Sequence, residues 1–272
     1  MALCKRDAEL ADLDSISELV ENLAEEVEPH LHVYRDFLFS IRERDKPLSL
    51  FSSSSFHPKI ESIRIGIFET AEADEHYSVN ILYRSLIEHF VKAQYLWMRT
   101  LEVDTDEVGI DYWLFGNAQE TVDYAKSLRD AYELLGVDLE REPLDILRDM
   151  KILGEQHSNR SIKNRMEQFR YKNMTRYIAE AINAKQTQSA PILSSVFPRY
   201  SELSSCVHGG PAATTEFSRA TADISEAVDI STFASLYIRW SVYLLFYQYD
   251  KKMEPLVQIT NRYLKKFAGH NN

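Results

Sequence analysis

Apolar positions near the start of the chain recur every three or four residues. Ile16, Leu19, Val20, Leu23, Ala24 and Val27 form an i, i+3, i+4, i+7 stripe that predicts a helix, with Asp14 or Ser15 as its N-cap. Pro29 is expected to kink or divide it, and Leu31, Tyr34, Phe37, Leu38 and Ile41 carry the pattern further. The charged RERDKP run and the SLFSSSSFHP stretch that includes Pro58 read as a loop. Residues 1–45 are therefore expected to be an N-terminal helical arm, and 1–50 the arm with its loop, set against a helical bundle core over 51–272.

From Pro58 the helical period resumes, as one long helix or as two with a break near Ala71 to His76. Leu82, Leu86, Phe90, Ala93 and Trp97 cluster on one side of a helical wheel, and Tyr83, Ile87 and Met98 widen the arc. An arc that wide predicts a central helix packed by several neighbours. Further helices are expected at about 106–135, 143–157 and 160–184, punctuated by Gly136 and Pro143. The polar NAKQTQSAP run reads as a loop, Pro191 suits the first turn of a short helix, and a long final helix or helix pair is expected over about 222–267. No strand pattern is present, so the predicted class is all-α, a multi-helix bundle.

Composition agrees with that class. A chain of 272 residues with 44% hydrophobic content is long enough for a large core, and 8 glycines with 8 prolines are few for a many-stranded protein. Cys4 and Cys206 stand far apart in no paired spacing, and the opening MALCKRDAELADLD has no apolar stretch of signal type, which predicts a cytoplasmic protein. FASLYIRWSVYLLFYQY, residues 233–249, is apolar enough to suggest a membrane span, but Arg239 near its middle makes it a core helix, and no membrane contact is expected.

The net charge of -11 opposes whole-surface binding to nucleic acid, but the charge is unevenly spread. Residues 102–145 are strongly acidic, opposed only by Lys126, Arg129 and Arg141. Residues 151–176 are basic, with only Glu155 and Glu167 against them. Arg160, Lys163, Arg165, Arg170, Lys172 and Arg176, interleaved with Phe169, Tyr171 and Tyr177, form a candidate RNA-binding segment that grips phosphates and stacks bases.

Motif search excludes several chemistries. Paired Glu-x-x-His, His-Asp, H-E-x-x-H, a Gly-rich phosphate loop and G-x-S-x-G are all absent, and His30 and His32 diverge on a helix, so neither a metal nor a cofactor is expected. Two other features carry candidate chemistry. Arg84 and Glu88, spaced i, i+4 at the margin of the apolar arc, can pair, either as a packing ion pair or to aim the guanidinium at an anion. His89, about 140° around the helix from Arg84, reads more simply as a core histidine. In YSELSSCVHGGP, residues 200–211, Ser201, Ser204, Ser205 and His208 share a face, with His208 in a last helical turn before Gly209 and Gly210. Carbonyls at such an end favour imidazolium, which suits either a capping or a proton-transferring histidine.

RSLIEH, Arg84 to His89, has the R-x4-H form and resembles the HEPN superfamily, small all-helical domains that include metal-independent ribonucleases of toxin and anti-phage systems. The R-x-x-x-E helix together with the later Y-x-x-x-S-x-x-x-H segment, Tyr200, Ser204 and His208, is similar to an uncharacterised bacterial family with HEPN affinities, over roughly residues 55–250. Ser85 stands where the nuclease motif usually has Asn or Asp, and Val91 where it often has Tyr. The resemblance implies a dimeric HEPN-like bundle that binds or cleaves RNA without metal, with Arg84, Glu88, His208 and His89 as catalytic candidates. It also implies an antitoxin or defence-system subunit as a protein partner. The alternative is a non-catalytic helical module that binds and regulates a partner protein, with the same residues structural.

Overall fold

The computed structural model describes residues 2–116, 118–136, 158–185, 199–204 and 224–270. Among them there is no strand, and the fold is all-α. The helices are α1 (Ala2–Val27), α2 (Leu31–Ser40), α3 (Pro47–Glu72), α4 (His76–Glu102) and α5 (Glu107–Asp111). They continue with α6 (Ala118–Leu134), α7 (Asn159–Glu167), α8 (Tyr171–Lys185), α9 (Ile224–Tyr247) and α10 (Glu254–His270). Residues 199–204 are also helical.

Helices α3, α4 and α9 pack on one another at the centre, α8 lies against α4, and α10 joins α9 to α1. The apolar arc of α4 explains its position: Tyr83, Leu86, Ile87, Phe90 and Val91 are buried among residues from α3, α8 and α9. Leu13, Ile16, Leu19, Leu23 and Val27 of α1 belong to that same core. A smaller apolar cluster, Phe115, Val122, Ile162 and Met166, forms where α6 and α7 each pack on the turn at Tyr112–Gly116. The aromatic segment around Arg239 is the buried helix α9, and no described helix is long and apolar enough to cross a membrane.

Several boundaries agree with the sequence pattern. Pro29 lies in a 3₁₀ turn, Glu28–His30, that divides α1 from α2. The break expected near Ala71 to His76 separates α3 from α4, with Asp74 at φ 61°, a left-handed value that a short polar side chain tolerates. Gly136, at φ +76°, follows α6 and donates its N–H to Glu133 O at 2.9 Å. The final helices α9 and α10 are the expected pair. The stretch 160–184 divides into α7 and α8, and the helices expected at 143–157 and after Pro191 fall mostly or wholly outside the described residues.

Two expectations are corrected. α1 begins at Ala2, well before Asp14. The serine-rich stretch is a helix, so the boundary at 50 falls inside α3. Pro47 occupies its first turn, where no intrahelical N–H is needed, and α3 continues through Pro58. Serine is tolerated here because its hydroxyl finds a partner on the preceding turn: Ser54 Oγ donates to Phe51 O at 2.9 Å and Ser55 Oγ to Ser52 O at 2.8 Å. A close approach by α5 adds to this. A Cβ on Gly109 would lie 2.1 Å from Ser49 N, and the Gly109 N–H donates to Ser49 Oγ at 2.9 Å.

The start of α3 is tied to the end of α4 by reciprocal caps. Asp106 accepts from the N–H groups of Leu48 at 3.0 Å and Ser49 at 2.7 Å, placing a carboxylate on the positive end of α3. Lys46, buried, donates its ammonium to the carbonyls of Thr100 and Val103 at the negative end of α4.

Candidate functional site

The half-buried Arg84 and Glu88, one turn apart on α4, pair at 3.2 Å through Arg84 Nη2 and Glu88 Oε1. Tyr200, from the 199–204 segment, completes the group. Its hydroxyl accepts from Arg84 Nη2 at 3.2 Å and donates to Glu88 Oε1 at 2.7 Å. The Arg84 guanidinium lies 5.1 Å from the centre of the Tyr200 ring. Tyr171, the first residue of α8, stacks on Tyr200, its ring 3.8 Å from that of Tyr200 with 18° between planes. Arg199, in the same segment as Tyr200, binds Glu226 of α9 at 2.6 and 3.3 Å and so holds the segment against the bundle.

The electrostatics keep both phenols protonated. Burial, then the hydrogen bond and charge of Glu88, push the Tyr200 hydroxyl above its usual range, with Arg84 opposing. Burial, followed by Tyr200 and Glu88, raises Tyr171 strongly. Arg84 Nη2 is spent on Glu88 and Tyr200, and Nε is sealed from solvent without a partner. Among the described residues Nη1 has no hydrogen-bond partner, and it is not among the buried unpaired atoms, so it is the nitrogen left to meet an anion.

His89 belongs to a different side of α4. Its Nδ1 donates to Ser85 O at 2.8 Å and its ring meets Phe56 of α3 at 6.2 Å. The structure thus brings Arg84, Glu88 and Tyr200 together and does not bring His89 to them. Ser204 is half-buried in the Tyr200 segment, and His208 lies outside the described residues.

In the basic segment, Arg160, Lys163, Arg170, Lys172 and Arg176 are exposed. Arg165 differs from the others. It pairs with Asp111 and, at 3.5 Å, with Glu107, and its guanidinium lies 5.6 Å from the Phe115 ring centre. The interleaved aromatics also turn inward: Phe169 packs on Tyr95 at 6.0 Å and Tyr112 at 5.8 Å, and Tyr177 on Tyr95 at 5.2 Å. Phe169 and Tyr177 thus make edge-on contacts with the protein's own rings. The acidic stretch is partly committed inside the protein as well, through Asp106, Glu107, Asp111 and the Tyr177 partner Glu102.

Sequence reading missed a second polar cluster, between α3 and α9. Arg239 Nε donates to His57 Nε2 at 2.9 Å, and Glu61 accepts from Arg64 Nη2 at 2.8 Å and from the Ser235 hydroxyl. Burial opposes ionisation of Glu61, but hydrogen bonds from Arg64 and Ser235 and the charges of Arg64 and Arg239 outweigh it and hold the carboxyl down at about 2. Burial and the Arg239 charge lower His57 to about 3. The signal was present in the spacing: His57, Glu61 and Arg64 fall at i, i+4, i+7, and Ser235 and Arg239 at i, i+4 inside an apolar run. Among the described residues no group of three or more His, Cys, Asp or Glu could hold a metal ion.

No protein-family model, curated protein or solved structure matches this chain.

Proposed function

We propose that the chain is a metal-independent RNA-binding and RNA-cleaving protein of HEPN-like type, acting in the cytoplasm as a homodimeric toxin or anti-phage effector. The observation that carries this reading is the convergence of Arg84 and Glu88 with Tyr200. Arg84 of the R-x-x-x-E helix and Tyr200, the first residue of the Y-x-x-x-S-x-x-x-H motif and 116 residues away, are joined by a hydrogen bond. Tyr171 supports the reading too, since it stacks on that group between the exposed Arg170 and Lys172.

In the reaction, the 2′-oxygen of a ribose attacks the adjacent phosphorus, the bond from phosphorus to the 5′-oxygen breaks, and a cyclic phosphate forms. Arg84 stabilises the charge that builds on the non-bridging oxygens, and Glu88 with Tyr200 orients it. His208 takes the proton of the 2′-hydroxyl and returns it to the leaving 5′-oxygen. His89 is left out because its hydrogen bond to Ser85 O points it to another side of α4. The test is cleavage of a single-stranded RNA in the presence of a chelator. Cleavage that disappears when the nucleotide at the scissile bond is 2′-deoxy, and in Arg84→Ala and His208→Ala, supports the proposal. A folded parent that neither binds nor cleaves RNA overturns it.

A second reading, a non-catalytic module that binds a partner protein such as an antitoxin or defence-system subunit, is favoured by exposed apolar residues. Tyr124, Leu128 and Tyr132 on α6 are spaced i, i+4, i+8, and Trp113, 49% exposed, stacks on Phe51 at 5.9 Å.

A further inference from the structure

The cluster between α3 and α9 has more positive charge than the protein supplies partners for. Two guanidinium groups, Arg64 and Arg239, with side chains 10% and 13% exposed, face the single carboxylate of Glu61. His57 adds no charge. An arginine Nε always carries its proton, so the acceptor at 2.9 Å, His57 Nε2, carries none, and the imidazole is the neutral form with its proton on Nδ1. Tyr243 of α9 packs against the His57 ring at 6.3 Å, and Tyr34 of α2 packs on Tyr243 at 5.4 Å. The groups that act electrostatically on His57, Glu61, Tyr34 and Tyr243 are Arg64, Arg239 and Glu61, with Tyr243 acting on Tyr34.

Donors are also left over. Arg64 spends Nε and Nη2 on Glu61, and Arg239 spends Nε on His57, with its Nη2 3.8 Å from Glu61, beyond hydrogen-bond distance. Among the described residues, Arg64 Nη1, both terminal nitrogens of Arg239 and the Tyr34 hydroxyl have no hydrogen-bond partner, and none of them is among the buried atoms left unpaired. A largely buried cluster with spare fork-shaped donors on Arg239 and one unbalanced positive charge suits an oxyanion, because guanidinium geometry matches two oxygens of a carboxylate or phosphate.

We infer that the α2, α3 and α9 cluster is a binding site for one small oxyanion, a phosphate or carboxylate group, held by the outward nitrogens of Arg239 with Arg64 and the Tyr34 hydroxyl beside it. Glu61 fixes Arg64, and His57 fixes the plane of Arg239 by accepting from its Nε. The site shares no residue with the Arg84 group and stands whether or not the chain cleaves RNA.

The test uses the full chain and three salts at equal ionic strength: sodium phosphate, sodium acetate and sodium chloride. A saturable rise of a few degrees in the unfolding midpoint in phosphate or in acetate, beyond chloride, is expected. The salt that acts names the group as phosphate or carboxylate. The rise should vanish in Arg239→Gln and persist in Arg84→Gln. No rise beyond chloride overturns the inference, and so does a rise that Arg84→Gln abolishes and Arg239→Gln keeps. If Arg239→Gln does not fold, the imidazole resonances of His57 in the parent decide, since they should shift saturably with the active anion; unmoved resonances overturn the site.

Discussion

The Tyr200 hydroxyl is bonded to both members of the Arg84 and Glu88 pair, accepting from the first at 3.2 Å and donating to the second at 2.7 Å. The phenol therefore closes a three-membered group in which each residue limits the freedom of the other two. With Arg84 and Glu88 side chains 20% and 32% exposed, the pair stands between a surface bridge and a buried one.

That intermediate position sets the expected stabilities. Arg84→Ala removes the hydrogen bonds that the guanidinium gives to the Glu88 carboxylate and the Tyr200 hydroxyl and should cost about 1–3 kcal/mol in denaturant unfolding. Tyr200→Phe keeps the ring on Tyr171 and the ion pair and should cost about 1 kcal/mol. In the proposed reaction the ranking differs. Arg84→Ala should lower chelator-resistant cleavage about a hundredfold or more, whereas Tyr200→Phe, which only loosens the orientation of Arg84, should lower it by a smaller factor. Equal losses in the two variants would show that Tyr200 does more than position.

The basic segment divides into two kinds of residue. Lys163, Lys172 and Arg176 are exposed, and their replacement by glutamate should weaken RNA binding and reduce the slope of log affinity against log salt by about one for each phosphate no longer neutralised. Arg165→Ala should instead destabilise the protein, because Arg165 joins α7 to Asp111 and Glu107 of α5. Binding isotherms across a salt series, beside melting curves for the same variants, separate the two effects.

Gly109→Ala is expected to be among the most damaging single substitutions. The new Cβ would lie 2.1 Å from Ser49 N and 2.3 Å from Leu48 C, both backbone atoms that cannot rotate away. Overpacking of this kind should cost at least about 2 kcal/mol and loosen the packing of α5 on α3. A midpoint of unfolding within experimental error of the parent would contradict the close approach.

Acid should weaken the fold in two stages. His57, held down to about 3 by burial and the Arg239 charge, takes a proton in the unfolded chain from near 6.5, so the unfolded state binds more protons across that window and stability falls as pH drops through it. Glu61, held at about 2, contributes stability that is complete above its ordinary value near 4.5 and is lost as pH falls toward 2. Unfolding midpoints should therefore begin to decline near pH 6.5. His57→Gln, which cannot charge, should flatten that decline above pH 4.5 and leave below it only the part that belongs to Glu61.

Periodicity alone determined a good deal here. The class and the central position of α4 follow from local rules of burial and backbone geometry, which act within a few residues of each position, whereas the division at Pro29, the break before His76 and the terminal pair α9 and α10 were each one of two readings that those rules left open. The i, i+4 pairing of Arg84 with Glu88 is of the same kind. What the spacing could not decide depends on partners far along the chain. The run SLFSSSSF reads as a loop by itself and becomes helix because Asp106 caps its first turn from 58 residues away and Gly109 packs closely on it. Phe169 and Tyr177 look available for stacking until Tyr95 is brought against them. Arg239 joins His57 across 182 residues, a contact created only when α9 docks on α3. A charged side chain inside an apolar run announces that it needs a partner, but which residue answers is settled by packing between helices, since hydrogen bonds and ion pairs act over a few ångströms of space whatever the separation in sequence.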